Sequence, residues 1–193
     1  MENTTAPDPL IPLRERTAAD TAGDVSRVLG KLEQSGQSLR INRILANSST
    51  VFRPFILMSD ALMNRTPFPP LEREVVIMRL AARRGVAYEW AEHVPMSARA
   101  GMDDATRDNL ARGDDADLSL LAPAHRLAVD IADQVVDEHA LDLELWNRAV
   151  DEWGEEAALD LLFVIGWWGA LVPLMIESLG LRQPRSAPDA GQD

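Results

Sequence analysis

The sequence predicts an all-α protein, and two observations carry that prediction. Apolar residues recur at intervals of three and four through most of the 193 residues, which is the spacing of an amphipathic helix. Alternating apolar and polar runs flanked by Asn-Gly or Asp-Gly turns, which are typical of β-hairpins, are missing from the sequence. Prolines and glycines divide the helical pattern into segments, and we expect about eight helices.

The best defined helix is predicted from Leu71 to Arg84, because Pro70 lies directly before it and Gly85 directly after it. The next helix covers residues 87–100 and contains Pro95. Proline removes a backbone donor and crowds the preceding turn, so we expect a kink near residues 91–94.

The last helix, residues 155–179, is apolar on all sides and contains Pro173, where we expect a bend. A surface helix would carry a polar face, so this helix is predicted to be buried, in the core or in a subunit interface. The other helices are predicted at residues 17–33, 39–46, 51–63, 103–111, 123–139 and 143–153.

Composition predicts one domain with a flexible tail at each end. Residues 1–12 carry three prolines, and residues 182–193 are polar and rich in proline and glycine. Both segments have too few apolar residues to offset the entropy lost on ordering. Residues 13–181 are then a single helical domain, in which residues 112–117 form a solvated connection.

Charge and cysteine content exclude several functions. The chain has 31 acidic and 19 basic residues and a net charge of -12, which disfavours binding to nucleic acid and to anionic membranes. It has no cysteine, so thiolate catalysis and Cys-ligated metal sites are excluded. The N-terminus lacks a basic, apolar leader, and the uncharged run 161–176 is too short to span a membrane. These features predict a cytoplasmic protein.

One segment carries residues suited to acid/base chemistry. Glu89 and His93 are four residues apart and share a helix face. A carboxylate beside an imidazole can fix its tautomer and raise its basicity, which makes a general acid/base pair. The same spacing also occurs on exposed helix faces, where such a pair contributes only about 0.2–0.5 kcal/mol. Spacing alone leaves both interpretations open.

The region around this pair resembles the carboxymuconolactone decarboxylase family, which also contains the AhpD-like alkylhydroperoxidases. The resembling features are Leu-x-Arg-Glu at 71–74, Ile-x-Arg-Leu-Ala at 77–81 and Tyr-Glu-Trp-Ala-Glu-His-Val at 88–94. A weaker likeness extends over residues 15–181. The resemblance implies an AhpD-like helical bundle, a homo-oligomer that is a trimer or a hexamer, and no metal or organic cofactor.

Carried over by spacing, the resemblance places a functional glutamate at Glu74 and a functional histidine at His93. The positions that hold the two thiols of the AhpD-like branch are Val86 and Glu89, so the peroxidase relay cannot operate in this chain. The decarboxylase branch also lacks the thiols and keeps a glutamate and a histidine at the spacing of Glu89 and His93. Its chemistry is proton transfer, in which an unsaturated lactone acid loses CO2 and the dienolate is reprotonated.

We therefore predict a cofactor-free acid/base enzyme, a decarboxylase, isomerase or related lyase that acts on a small unsaturated lactone or carboxylic acid. His93 is the predicted general acid/base, supported by Glu89 or Glu74. The predicted substrate-binding residues are Tyr88, Trp90, Trp167 and Trp168, which would line the pocket, and Arg79 or Arg83, which would hold a carboxylate. Surface salt bridges are the competing expectation for the two arginines, and interface packing is the competing expectation for the adjacent tryptophans.

Two other interpretations remain open. A non-catalytic, oligomeric ligand-binding or scaffold protein would have a filled site and an exposed His93. A metal site on Glu89 and His93 could be completed by other helices, but a second Glu-x-x-His motif is missing, so we predict no metal.

Overall fold

The computed structural model describes residues 13–181, and every regular element in that range is helical. The α-helices are α1 (Gly23–Gln34), α2 (Arg40–Leu45), α3 (Phe52–Asn64), α4 (Pro70–Arg84), α5 (Ala87–Ala100), α6 (Asp104–Leu110), α7 (Pro123–Glu138), α8 (Leu143–Trp153), α9 (Glu155–Gly166) and α10 (Val172–Ser178). Short 3-10 turns lie at Ala18–Asp20, Gly113–Asp115 and Leu118–Leu120. The all-α prediction is confirmed, and the predicted tails, 1–12 and 182–193, lie outside the described residues.

The described residues divide into two compact units, one with residues 13–60 and 175–181 and the other with residues 61–174. The first unit contains α1, α2 and the start of α3, and it buries a small apolar cluster: Val25, Leu29, Ala46 and Phe52. The second unit contains the candidate catalytic residues. A single domain over residues 13–181 stays a prediction.

Helix α4 is the central element of the second unit. It packs against α5, α6, α7 and α9, and every residue from Arg73 to Ala81 is buried. It begins at Pro70, one residue before the predicted start, and ends at Arg84 as predicted, where Gly85 follows with a left-handed φ of 65°. A helix enclosed on all sides must bury its charged residues, which costs several kcal/mol per ion unless a partner is present. The partners of those charges therefore define the chemistry of this unit.

Helix α5 runs from Ala87 to Ala100 without interruption, although Pro95 lies inside it. Proline cannot donate to the carbonyl of residue 91, but the residues on both sides stay helical. The kink near residues 91–94 stays a prediction. Gly101, with a φ of 101°, ends the helix.

A π-helical segment, Trp167–Leu171, separates α9 from α10 in the stretch predicted as one bent helix. The N–H of Val172 donates to the carbonyl of Trp167, five residues earlier. Pro173 has no N–H, so the carbonyl of Gly169 cannot receive the usual bond from four residues later. In a π-helical turn, each carbonyl accepts from the N–H five residues later instead of four. This pattern accommodates the hydrogen bond that Pro173 cannot donate.

Helix α9 is buried along one side within the chain, and its burial in a subunit interface stays a prediction. Its Leu161 and Ile165 are buried, and it packs against α4, α7 and α8, but Leu159 and Phe163 on its other side are about half exposed. By length and composition, the whole stretch Glu155–Ser178 is long and apolar enough to cross a membrane. This corrects the prediction from the uncharged run 161–176, which is too short to do so. A core helix of a soluble protein passes the same test of length and composition.

Candidate functional site

A buried histidine lies between two glutamates at the contact of α4 and α5. The Nδ1 atom of His93 is 2.9 Å from Oε2 of Glu74, and its Nε2 atom is 3.2 Å from Oε1 of Glu89. The three residues are at most 5% exposed. We call Glu74, Glu89 and His93 the carboxylate–histidine cluster.

The two contacts of His93 have different origins. Glu89 and His93 are one helical turn apart on α5, so their proximity follows from the helical repeat. Glu74 is 19 residues away in sequence and reaches the ring because α4 packs beside α5. The sequence leaves open which glutamate contacts His93, and the structure shows that both do.

The cluster favours the protonated ring. Burial alone lowers the pKa of His93, but the hydrogen bonds and charges of Glu74 and Glu89 outweigh that effect and raise its pKa to about 9. At neutral pH both ring nitrogens therefore carry a proton, and each donates to a carboxylate oxygen. The carboxylates of Glu74 and Glu89 therefore hold the buried, protonated ring of His93 in one orientation.

Trp168 packs against the ring of His93. The two ring centroids are 5.9 Å apart and the planes meet at 82°, an edge-to-face arrangement. Trp168 is 5% exposed and belongs to the π-helical segment, a type of irregularity that is frequent at functional sites. The next residue, Gly169, is packed so closely that a Cβ there would approach Val136 to 3.2 Å and Leu80 to 3.4 Å. The segment that carries Trp168 is thus seated on α4 and α7.

Arg73 extends the cluster, although it is not among the residues predicted for the site. Its Nη2 atom is 3.9 Å from Oε1 of Glu74, which is too long for a hydrogen bond. Its Nε atom is buried and has no hydrogen-bond partner within the described residues. Burial lowers the pKa of Arg73, and the charge of Glu74 opposes that shift. The available sequence signal is its place beside Glu74 in the motif at 71–74.

Arg79 already has a carboxylate partner. Its Nη2 and Nε atoms lie 2.8 and 3.1 Å from the carboxylate of Asp133 on α7, and it also donates to the carbonyl of Gly113. Salt bridging is one of the two expected roles, but the bridge is buried and not at the surface, since Arg79 is 4% exposed. Gly113 is buried as well, so the segment 112–117 is not solvated throughout. A substrate-binding role of Arg79 stays a prediction.

Arg83 is held by three acidic residues. Its Nε atom is 2.6 Å from Asp114, and its Nη atoms lie 3.3 Å from Asp133 and 3.2 Å from Asp137. Burial alone would lower its pKa, but these carboxylates raise it. As with Arg79, the ion pairs are established and the substrate-binding role stays a prediction.

The other predicted aromatic residues lie in different surroundings. Tyr88 is buried at the start of α5, and Trp167 is half-buried in the π-helical segment. Trp90 packs against a second apolar cluster, which consists of Val75, Met78, Met102, Leu110, Leu121 and Val129. Trp168 packs against His93, and pocket roles for Tyr88, Trp90 and Trp167 stay predictions.

Within residues 13–181, no group of three or more histidine or acidic side chains is arranged to hold a metal ion. The cluster geometry gives the reason. Glu74 and Glu89 approach opposite nitrogens of one imidazole ring, so their oxygens and a single ring nitrogen cannot converge on one ion.

Comparison with known proteins supports the fold. The chain matches no protein-family model and no curated protein. A solved structure, an uncharacterized peroxidase-related protein from Silicibacter sp. TM1040, matches it with a TM-score of 0.72 and 16% sequence identity, over 92% of this chain and 94% of that one. At that identity the likeness shows the fold alone, which is all-α and AhpD-like, and it does not show membership of the carboxymuconolactone decarboxylase family.

Proposed function

We propose that the protein is a cofactor-independent acid/base enzyme of the cytoplasm. It would act as a decarboxylase, isomerase or related lyase on a small unsaturated lactone or carboxylic acid. The observation that supports this function is the buried His93, whose two ring nitrogens each contact a carboxylate. Fixed charges in a water-poor site stabilise a transition state more strongly than charges in water do, because they need no reorganisation during the reaction.

The two ring nitrogens would have different roles. The contact of Nδ1 with Glu74 is the shorter one, and Glu74 is 1% exposed, so Glu74 would hold the Nδ1 proton and the orientation of the ring. The contact of Nε2 with Glu89 is 3.2 Å long, and it would open more easily. Nε2 would therefore give its proton to the substrate, which leaves a neutral ring that still donates from Nδ1 to Glu74.

Both reaction types can be written with these groups. In decarboxylation the bond to the carboxylate breaks, CO2 leaves, its electron pair forms a dienolate, and His93 protonates a carbon of that dienolate. In isomerisation Glu89 accepts a proton from one carbon, and His93 supplies a proton to another. A thiol peroxidase is not proposed, because the chain has no cysteine.

His93→Gln is expected to reduce substrate proton exchange by roughly 100- to 10,000-fold, the usual contribution of a general acid/base. The wild type and the variant are incubated in D2O with a panel of unsaturated lactones and β-keto acids, and NMR follows deuterium uptake and CO2 loss. His139→Asn is the control, because His139 is exposed at the end of α7 with a φ of 57°, which asparagine tolerates. Equal exchange by wild type and His93→Gln would contradict the proposed role.

A non-catalytic ligand-binding or scaffold protein is the alternative. His93 is 5% exposed, so the exposed histidine expected for such a protein is not found. The observation that favours the alternative is that both nitrogens of His93 already have partners, as in a filled site. Absence of exchange with every compound of the panel would favour this alternative and overturn the enzyme proposal.

We also propose that the protein forms a homo-oligomer, a trimer or hexamer, through the exposed side of its C-terminal helix. Leu159, Phe163 and Leu174 are 49%, 51% and 58% exposed, and the small exposed residues Gly166 and Ala170 lie between them. Small residues allow two helices to approach closely, and this stripe contains no charge. A second copy would present the same uncharged stripe, so no ion would be buried without a partner.

Phe163→Glu is expected to reduce the mass of the particle to that of a monomer, because it places a charge in the middle of the stripe. Multi-angle light scattering after gel filtration measures this mass. Leu143→Glu on α8 is the control, since Leu143 is 72% exposed and lies outside the stripe. A monomeric wild type, or an unchanged mass for Phe163→Glu, would contradict the proposed interface.

A further inference from the structure

We infer that Arg73 binds a carboxylate of the substrate, and that the substrate keeps this carboxylate through the reaction. The inference rests on the proposed function, and it narrows the substrate class to organic acids whose reacting carbonyl is a different group. It assigns to Arg73 the role that the sequence suggests for Arg79 or Arg83.

Arg73 is buried, and among the described residues it has no carboxylate within hydrogen-bond distance. Its side chain is 8% exposed, and its nearest carboxylate oxygen, Oε1 of Glu74, is 3.9 Å away. Its Nε atom has no acceptor among the described residues. A buried donor without an acceptor costs about 1–3 kcal/mol, and more when the group is charged. An arriving acceptor would recover this free energy, so the unpaired guanidinium is suited to ligand binding.

Helix α4 itself provides the comparison. Arg79 on the same helix is also buried, and it has a bidentate carboxylate partner at 2.8–3.2 Å. Arg83 contacts three acidic side chains. The two structural arginines of α4, Arg79 and Arg83, thus each have a carboxylate at hydrogen-bond distance. Arg73 has no such partner among the described residues. Its neighbour Glu74 directs Oε2 to His93, and its Oε1 atom stays 3.9 Å from Arg73.

The position of Arg73 also suits a substrate. Glu74 has its Oε2 atom on His93 and its Oε1 atom on the side of Arg73, so an anion on Arg73 would lie beside the proton-transfer groups. The planar guanidinium matches the two oxygens of a carboxylate. Protonated His93 and Arg73 offset the charges of Glu74 and Glu89, so the four groups sum to zero and do not repel an anion.

This placement bears on the reaction type. During loss of CO2, the negative charge moves from the carboxylate to the dienolate. An ion pair with Arg73 would stabilise the negative charge on the carboxylate and so oppose this movement. Binding that favours the ground state in this way would raise the barrier to decarboxylation of the same group. The carboxylate on Arg73 therefore anchors the substrate, and proton transfer takes place at carbon atoms next to another carbonyl.

The first test follows the Nε–H group of Arg73 directly in wild-type protein labelled with 15N-arginine. Levulinate and benzoate are added up to about 10 mM, a concentration that saturates a millimolar binder, and their neutral amides are added in parallel. The acids are expected to shift the Arg73 Nε–H signal downfield, because it gains an acceptor, and the amides are expected not to. The exposed Arg84 is the internal control. No shift with either acid, or equal shifts with acids and amides, would overturn the inference.

The second test measures affinity by titration calorimetry on folded variants. Arg73→Gln is expected to weaken acid binding by roughly 10- to 100-fold, the range for a hydrogen bond to a charged group. Arg73→Lys restores part of it, and Arg84→Gln leaves it unchanged. His93→Gln removes one positive charge beside the site but keeps the guanidinium, so it is expected to weaken acid binding less than Arg73→Gln does while it abolishes proton exchange, and this separates the two proposals. Binding that depends on Arg73 without proton exchange would overturn the enzyme proposal alone, and exchange without any role of Arg73 would overturn this inference alone.

Discussion

Asp133→Asn is expected to lower the free energy of unfolding by roughly 3 kcal/mol, because loss of one partner leaves a buried charge uncompensated. Arg79 is 4% exposed, and the carboxylate of Asp133 is its only ionic partner among the described residues. Asparagine has a similar shape and keeps one acceptor, but it removes the charge and the second oxygen. The magnitude lies at the lower end of the range for buried pairs, since Asp133 is 19% exposed. Urea denaturation measures the change.

Asp137→Asn is the matched control. Asp137 lies one turn further along α7 and pairs with Arg83 at 3.2 Å, but its side chain is 53% exposed. Exposed pairs contribute about 0–1 kcal/mol, so this variant is expected to stay close to the wild type. Equal losses for the two variants would show that burial of the Arg79 pair does not determine its contribution.

The stabilising effect of His93 is expected to disappear as the pH rises. Its pKa is about 9 in the folded protein and 6.5 in the reference state. Because the folded pKa is the higher one, its contribution is fully present below pH 6.5 and is lost between about pH 6.5 and 9. The difference corresponds to roughly 3 kcal/mol, since one pKa unit is 1.36 kcal/mol.

Unfolding free energies of the wild type and His93→Gln, measured across this pH range, test the expectation. The difference between the two proteins should fall as the pH rises, since the variant lacks the titrating group. His139→Asn should keep the pH dependence of the wild type. A difference that is constant or that grows with pH would mean that Glu74 and Glu89 do not stabilise the charged ring.

Local sequence was sufficient wherever a feature depends on neighbours along the chain. Pro70 and Gly85 mark both ends of α4, because proline suits the first turn of a helix and glycine adopts the left-handed conformation after the last. The contact between Glu89 and His93 follows from the helical repeat. The fold class and one half of the candidate site are therefore predictable from the sequence.

Features that depend on packing between helices were not predictable in the same way. The apolar composition of residues 155–179 predicts burial in the core or in a subunit interface, but composition does not say which side of the helix meets the core. Within the chain, Leu159 and Phe163 lie on the exposed side. The π-helical segment also escaped prediction. Pro173 signals an irregularity, but the sequence does not indicate that it takes the form of a π-helical segment or that Trp168 contacts His93.

The sequence by itself determined that the protein is helical, that it has no thiol chemistry and that Glu89 lies beside His93. Only the tertiary structure decided which charged residues share partners. Arg73, Glu74 and Arg79 all lie on one buried helix, yet Glu74 contacts His93 of α5 and Arg79 contacts Asp133 of α7, whereas no carboxylate within residues 13–181 is hydrogen-bonded to Arg73. The physical reason is that a buried charge is stabilised by groups brought to it from other helices, and their positions are set by the packing of the whole unit.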